Sequence, residues 1–218
     1  YYSGGEGGGS GTYGSLLRYG YDSPLSQNYD FQSTIERNMS QTPDANGEKA
    51  SRGILRNSTN YQDTYGLISK LTFDVTEDLN VTVGADMRTA EIEHYREVRD
   101  LLGGDYYVDT RNEFDTTADQ RKKRLGDKVN YWNTNTVDWL GLFATAKYDR
   151  GPISAFGTYG YSSIDYSYLD HFKKGVDGNE LFAEATGLDG NQIKGGVNYE
   201  FTEQFSAFFN AGWVDRAP

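Results

Sequence analysis

Apolar and polar side chains alternate residue by residue in several stretches of this chain, which is the pattern of β-strands with one apolar face. The range 65–75 places apolar side chains at nearly every second position, and the range 79–87 does the same after a break of three residues. Two such stretches with so short a connection predict an antiparallel hairpin.

The same arrangement occurs twice more along the chain. Alternation in 140–148 resumes in 153–161, and alternation in 193–201 resumes in 205–213. Each pair of stretches is separated by a few residues rich in turn formers, such as the Asp-Arg-Gly-Pro sequence after Tyr148. The sequence therefore predicts three hairpins.

The residues between the hairpins, 89–139 and 162–192, lack this simple pattern and are expected to form long connections. In the first connection we expect a helical turn over His94–Leu102, ended by Gly103-Gly104 with positive φ. The range 128–133 is expected to belong already to the next strand.

The alternation of short and long connections favours a membrane barrel over a soluble sandwich. Connections longer than about 12–15 residues are uncommon in compact soluble domains. Outer-membrane barrels combine short periplasmic turns with long extracellular loops, and their strands need about 9–11 residues to cross the bilayer. The prediction is an all-β fold, a segment of an antiparallel transmembrane β-barrel with about eight strands.

In such a barrel the apolar face of each strand contacts lipid and the opposite face lines the lumen, because a charge in the hydrocarbon is costly. The side chains predicted to face lipid are Leu71, Phe73, Val81, Val83, Leu142, Ala144, Val197, Phe209 and Trp213. Those predicted to face the lumen are Lys70, Asp74, Asp86, Arg88, Lys147 and Glu200.

Aromatic side chains are frequent in the two long connections, where rings stack on sugars or flat chelates in many binding sites. The candidate ligand-binding residues are Tyr106, Tyr107, Tyr131, Trp132, Tyr166 and Tyr168. The competing interpretation is that most of these rings pack the loops onto one another or form an aromatic girdle.

Composition narrows the function further. The formal net charge of −11 disfavours a nucleic-acid partner, and the basic run 121–124 is expected to be a solvated loop face. No apolar run is long enough for a membrane helix. The N-terminal third is less regular, with a Gly-rich start, a strand at 13–21 and a polar loop at 23–53 that holds a short helix near 34–39.

No catalytic or metal site is expected, and no cofactor. Cys is absent, and the two histidines, His94 and His171, fall in different predicted loops without metal-ligand spacing. The acid pair Glu91 and Glu93 is expected by chance in an acidic chain, and no Ser-His-Asp constellation is visible in the sequence, so the chain is not expected to be an enzyme.

Three stretches resemble the barrel of TonB-dependent receptors, particularly those common in Bacteroidota. They are GILRNSTNYQDTYGLISKLTF from Gly53, EIEHYREVRDLLGGDYYVD from Glu91 and KGGVNYEFTEQFSAFFNAGWVDRAP from Lys194. Together they cover about a third of the chain. The resemblance implies a bacterial outer-membrane location and a barrel of about 22 strands closed by an N-terminal plug.

The resemblance also implies energy-coupled uptake of a scarce nutrient such as a siderophore, cobalamin or a glycan. The expected partners are outer-membrane lipid, that substrate, and the TonB complex, which would act through an N-terminal part that we expect to precede this segment. Plug and C-terminal strands are expected to lie outside residues 1–218. Substrate identity and a surface lipoprotein partner are left open by the sequence.

Three other functions remain compatible with the alternation alone. These are a soluble β-rich carbohydrate-binding module, a small outer-membrane barrel and a secreted β-sandwich hydrolase. Solubility without detergent would favour the module or the hydrolase, and the hydrolase would also need a convergent acid pair.

Overall fold

The computed structural model describes residues 2–4 and 31–216, which form a mostly antiparallel β structure with one short helix. In chain order the elements are β1 Tyr2–Gly4, α1 Phe31–Met39, β2 Ala50–Ser51, β3 Gly53–Thr76, β4 Leu79–Asp100, β5 Tyr106–Val108, β6 Lys122–Lys123, β7 Lys128–Arg150, β8 Ile153–Lys174, β9 Glu180–Thr202 and β10 Phe205–Asp215.

Seven strands form the large sheet in the order β1-β3-β4-β7-β8-β9-β10, and β2, β5 and β6 form a small second sheet. Within the described residues β1 and β10 stand at the two ends of the large sheet, so the sheet is open there. The all-β class is therefore confirmed, and closure into a barrel stays a prediction.

The three predicted hairpins are confirmed. Two residues each separate β3 from β4, β7 from β8 and β9 from β10. In the last hairpin Val197 lies opposite Phe209 and Ile193 opposite Trp213. The side chains that the alternation placed together thus share one face, because directly opposite residues in an antiparallel pair point to the same side.

The predicted long connection over 162–192 is wrong. Strands β8 and β9 continue through most of it and leave only Gly175–Asn179 between them. The alternation seen in 153–161 ends there because Ser163, Asp165 and Ser167 make its apolar face polar, while Tyr166, Tyr168 and Phe172 on the opposite face still favour strand over loop. The pattern of 153–161 is thus lost in this range, although the strands continue.

The first long connection is shorter than predicted. It covers residues 101–127, because β4 runs to Asp100 and β7 begins at Lys128. The strand expected at 128–133 is thus confirmed as the start of β7. The helical turn predicted over His94–Leu102 is wrong, since all but its end lies in β4. Leu102 and Gly103 do take positive φ, of 49° and 85°, but in a turn that follows a strand.

In the N-terminal part the short helix expected near 34–39 is confirmed as α1. The strand expected at 13–21 lies outside the described residues. In the part of the chain that the structure describes, no helix combines the length and apolarity that crossing a membrane requires.

The described residues form two compact units. Unit 1 takes in residues 31–61, 93–134 and 169–182, and unit 2 takes in 62–92, 135–168 and 183–216. The long strands β3, β4, β7, β8 and β9 contribute residues to both.

Unit 1 has a small core of its own, in which Ile54, Val98, Leu101 and Val129 are buried and Tyr107 packs against them. Helix α1 is hydrogen-bonded to the backbone next to this core through Asn38.

The amide of Asn38 on α1 is fully buried. Its Nδ2 lies 2.9 Å from the Gly53 carbonyl oxygen and 3.1 and 2.9 Å from those of Leu101 and Leu102. Its Oδ1 accepts from the backbone N–H of Arg52 at 2.9 Å. One amide thus satisfies backbone groups from two distant parts of the sequence.

Candidate functional site

The apolar face of unit 2, defined by the alternating positions from Tyr65 to Trp213 that the sequence pattern predicted, is largely uncovered. Leu71, Phe209 and Trp213 are 58%, 68% and 60% exposed. Of the nine residues predicted to face lipid, Val81 and Ala144 are half-buried and the others are exposed. A contiguous exposed apolar surface of this kind marks a contact with a partner or with lipid.

The opposite side of unit 2, called here the mixed face, holds a groove of about 570 Å³. Its lining includes Trp139, Phe143, Asp86, Gln192 and Lys194, so that rings and polar groups alternate along it. The indole N–H of Trp139 is buried and has no hydrogen-bond partner among residues 31–216. Such a groove could accept a solute that offers both flat apolar and hydrogen-bonding groups.

Glycines make room for the large side chains of the mixed face. A Cβ at Gly84 would overlap the ring of Phe143 and lie 2.8 Å from the Ser69 carbonyl oxygen. A Cβ at Gly196 would lie 2.6 Å from Cε1 of Phe156. The aromatic rings therefore lie flat across neighbouring strands and do not stand upright from the sheet.

The residues predicted to face the lumen carry few strong contacts. Arg88 donates from Nε and Nη2 to Asp86 at 2.8 and 2.6 Å, and Asp74 accepts from Asn80 at 2.7 Å. The remaining members are exposed, namely Lys70, Lys147 and Glu200. Their assignment to a lumen, like that of the apolar face to lipid, stays a prediction.

Trp132, one of the predicted ligand-binding residues, is the centre of a polar and aromatic cluster in unit 1. Its indole N–H and the Lys128 ammonium both donate to Oε1 of Glu93, at 2.5 and 2.7 Å. The Lys128 ammonium lies 3.6 Å from the Trp132 ring centroid and 4.2 Å from that of Tyr95. The Lys128 hydrogen bond lowers the pKa of Glu93, so the carboxylate stays charged.

His171 completes this cluster. Its ring lies 4.0 Å from that of Trp132, its Nδ1 is 2.9 Å from Oε1 of Glu180, and its Nε2 is 2.9 Å from Oγ1 of Thr134. The partners of the Trp132 ring and N–H are thus internal to the protein, which favours the packing interpretation of this side chain.

The other predicted ligand-binding rings are scattered. Tyr106 is buried beneath the Lys122 ammonium, and burial raises the pKa of its hydroxyl. Tyr131 bonds to Ser58 through its hydroxyl at 3.2 Å. Tyr107 packs on the unit 1 core, Tyr168 is half-buried, and Tyr166 is 40% exposed. Of the six, Tyr166 offers the most accessible ring.

The basic run 121–124 was expected to be solvated, and that expectation is wrong. The Lys122 ammonium binds Asp44 at 2.6 Å and Glu48 at 3.4 Å, and Arg124 binds Glu48 at 2.5 Å. The Lys122 hydrogen bond lowers the pKa of Asp44 from 3.8 to about 2 and raises that of the ammonium. The run therefore ties β6 to the segment before β2.

Both histidines lie in strands, His94 in β4 and His171 in β8, and not in loops as predicted. His94 Nδ1 is 2.6 Å from Oδ1 of Asn60. Among the described residues no three His, Cys, Asp or Glu side chains converge as metal ligands would.

The sequence interpretation missed the groove on the mixed face, because Trp139 and Phe143 fall on the side assigned to polar residues. The aromatic–glycine spacing around Gly141 was the available signal. No protein-family model matches this chain, and no curated protein matches it.

Proposed function

We propose that this chain is part of the barrel wall of an outer-membrane transporter of the TonB-dependent receptor type. The observation that carries the proposal is the exposed apolar face of unit 2, on strands joined by two-residue turns. An apolar face of this extent needs an apolar surrounding, and no element of the described unit 2 covers it.

Strand length supports the proposal. Strands β3, β4, β7, β8 and β9 have 22 to 24 residues, whereas soluble strands usually have about 5–6. Their apolar stretches take 9 to 11 residues, which at about 3.3 Å per residue and a tilt of about 35–45° span roughly 20–30 Å. This range includes the height of about 25 Å of the apolar band on outer-membrane barrels.

The stagger of the short turns also supports a barrel. The N–H of Asp149, two residues before the Gly151-Pro152 turn, donates to the carbonyl of Asp78 in the preceding turn at 2.9 Å. The N–H of Glu200, three residues before Glu203, donates to Pro152 at 2.9 Å. Successive turns are displaced in one direction, as the register shift of a tilted barrel wall requires.

Glycine placement gives a third support. Each of the six strands β3, β4, β7, β8, β9 and β10 carries a glycine on the mixed face of unit 2: Gly66, Gly84, Gly141, Gly160, Gly196 and Gly212. Glycines at defined positions let a sheet bend sharply, and barrels use them for curvature. Curvature towards the mixed face would make that side the lumen, with the groove at Trp139 along the route of the solute.

Cysteines introduced singly at two neighbouring positions of the whole protein test whether the apolar face contacts lipid while the mixed face contacts water. Residues 1–218 contain no Cys, so Gln192→Cys and Ile193→Cys each introduce one thiol into this segment, on the mixed and the apolar face. After reconstitution into phospholipid vesicles, a membrane-impermeant maleimide should label position 192 far faster than 193. Equal labelling of both, or solubility of the protein without detergent, would overturn the proposal.

Uptake tests the transporter assignment. Cells expressing the whole protein should accumulate at least one of three probes, ferric siderophore, cobalamin or maltooligosaccharide, and a protonophore should abolish the accumulation. Accumulation that persists with the protonophore would point to a passive pore.

A further inference from the structure

Charged side chains follow a consistent rule on the apolar face of unit 2. Beside its short turn each strand has a series of uncharged positions on this face, preceded only in β7 by Arg150 at the turn itself. Moving away from the turn beyond these uncharged positions, the next charged residue on the same face is an acid in each of the six strands. These residues are Asp63, Glu91, Asp138, Asp165, Asp189 and Asp215, called here the carboxylate row.

Contacts at the row show how the apolar face ends. Tyr161 donates its hydroxyl to Oδ1 of Asp189 at 2.8 Å, and Tyr159 donates to Oδ1 of Asn191 at 2.7 Å. Oδ1 of Asp165 accepts from the N–H of Gly187 at 2.6 Å. The tyrosine rings thus lie at the end of the apolar face and their hydroxyls bond to the polar groups that follow on the same face, the arrangement that places Tyr at membrane–water interfaces.

We propose that the hydrocarbon of the lipid bilayer covers unit 2 only between the short turns and the carboxylate row, and that the row fixes the outer limit of this contact. The inference rests on the proposed function and adds where the membrane ends. A carboxylate on the lipid face is disfavoured within the hydrocarbon, so six of them at the same end of six strands define a boundary.

The distance from turn to row agrees with this assignment. In β7 the row lies at Asp138 and the turn begins after Arg150, and in β9 the row lies at Asp189 and the strand ends at Thr202. Residues 139–150 and 190–202 therefore lie between row and turn, 12 and 13 residues. At about 3.3 Å per residue and a tilt of about 45°, they rise roughly 28–30 Å, close to the thickness of about 30 Å of the hydrocarbon core. A boundary farther from the turns would place carboxylates in hydrocarbon.

Spin labels on single cysteines in the whole protein, reconstituted in phosphatidylcholine vesicles, measure the boundary. Leu142→Cys and Val197→Cys lie between turns and row, and Thr136→Cys and Ser167→Cys lie on the same face beyond it. Labels at 142 and 197 should collide with oxygen more than with a water-soluble nickel chelate. Labels at 136 and 167 should show the reverse preference.

The outcomes separate the two proposals. Oxygen preference at 136 and 167 as strong as at 142 would overturn the boundary while leaving the membrane assignment intact. Nickel preference at 142 and 197 would overturn the membrane assignment itself.

A double variant tests whether the carboxylates set the limit. In the Asp138→Leu and Asp165→Leu background, the label at Thr136→Cys should gain oxygen accessibility. The matched background Asp74→Leu and Asn198→Leu, which changes the mixed face, should leave that label unchanged. Equal behaviour in the two backgrounds would show that the row does not determine the boundary.

Discussion

The two units use similar strands and bury their apolar side chains in opposite ways. Unit 1 encloses Ile54, Val98 and Val129 completely and surrounds them with paired charges and a buried amide. Unit 2 leaves Leu71, Phe209 and Trp213 uncovered. Unit 1 thus satisfies the hydrophobic effect by internal packing, whereas unit 2, under the proposed function, would satisfy it through its surroundings.

The largest expected effect comes from a charge on the uncovered face. Val197→Arg should destabilise the membrane-inserted protein by about 2–4 kcal/mol, because arginine at mid-depth is costly in hydrocarbon. Urea unfolding from lipid vesicles, followed by tryptophan fluorescence, measures the change.

Asn198→Arg is the matched control, because residue 198 is the next along β9 and lies on the mixed face. It should cost less than about 1 kcal/mol, as for an ordinary surface change. Equal costs at 197 and 198 would contradict the contrast between the faces.

The second prediction concerns the contribution of the buried Asn38 side chain to the stability of unit 1. Asn38→Ala should destabilise unit 1 by about 2–3 kcal/mol, because it removes the amide donor to the carbonyls of Gly53 and Leu102 and the acceptor for the Arg52 N–H. Hydrogen exchange at β2 and β5 should accelerate accordingly. Glu36→Ala, on the exposed side of the same helix, should leave exchange nearly unchanged.

The third prediction concerns the close packing of Gly84 against the Phe143 ring on the mixed face, which one added methyl group would disturb. Gly84→Ala should cost about 1–3 kcal/mol, because the new Cβ overlaps the Phe143 ring and forces it to move. Gly157→Ala, where no atom lies within 4 Å of the new methyl, should be tolerated in the same unfolding assay. If Phe143→Ala does not relieve the defect of Gly84→Ala, the overlap is not its cause.

The smallest expected effect is a response of unit 1 to acid. The folded pKa of Asp44, about 2, lies below the ordinary 3.8, so its contribution is present above pH 3.8 and lost as pH falls towards 2. Proteolysis of residues 42–49 by pepsin should rise over that interval. The variant Asp44→Asn should be cleaved readily at both ends of it, since it lacks the ion pair with Lys122.

The sequence predicted the parts of the fold in which the two faces of a strand differ. Alternation located all three hairpins, and the β9–β10 register agrees with the faces it assigned. It failed over 162–192, where Ser163, Asp165 and Ser167 make the face that is apolar in 153–161 polar, so that the period of two ends although the strand continues.

The candidate sites were harder to predict because they depend on contacts across the sheet. Trp132 was identified by its residue type, but Glu93 and Lys128, its partners, are 39 and 4 residues away in sequence. The groove beside Phe143 depends on Gly84 from another strand, and no local pattern connects the two.

The reach of Asn38 has a consequence for the order of folding. Its amide joins carbonyls 15 and 64 residues away, at Gly53 and Leu102. The second of these positions is defined only once β3 and β4 have paired, and contacts that close long loops form late. Helix α1 should therefore dock after the first hairpin has formed, and it should be among the first segments to detach when the protein unfolds.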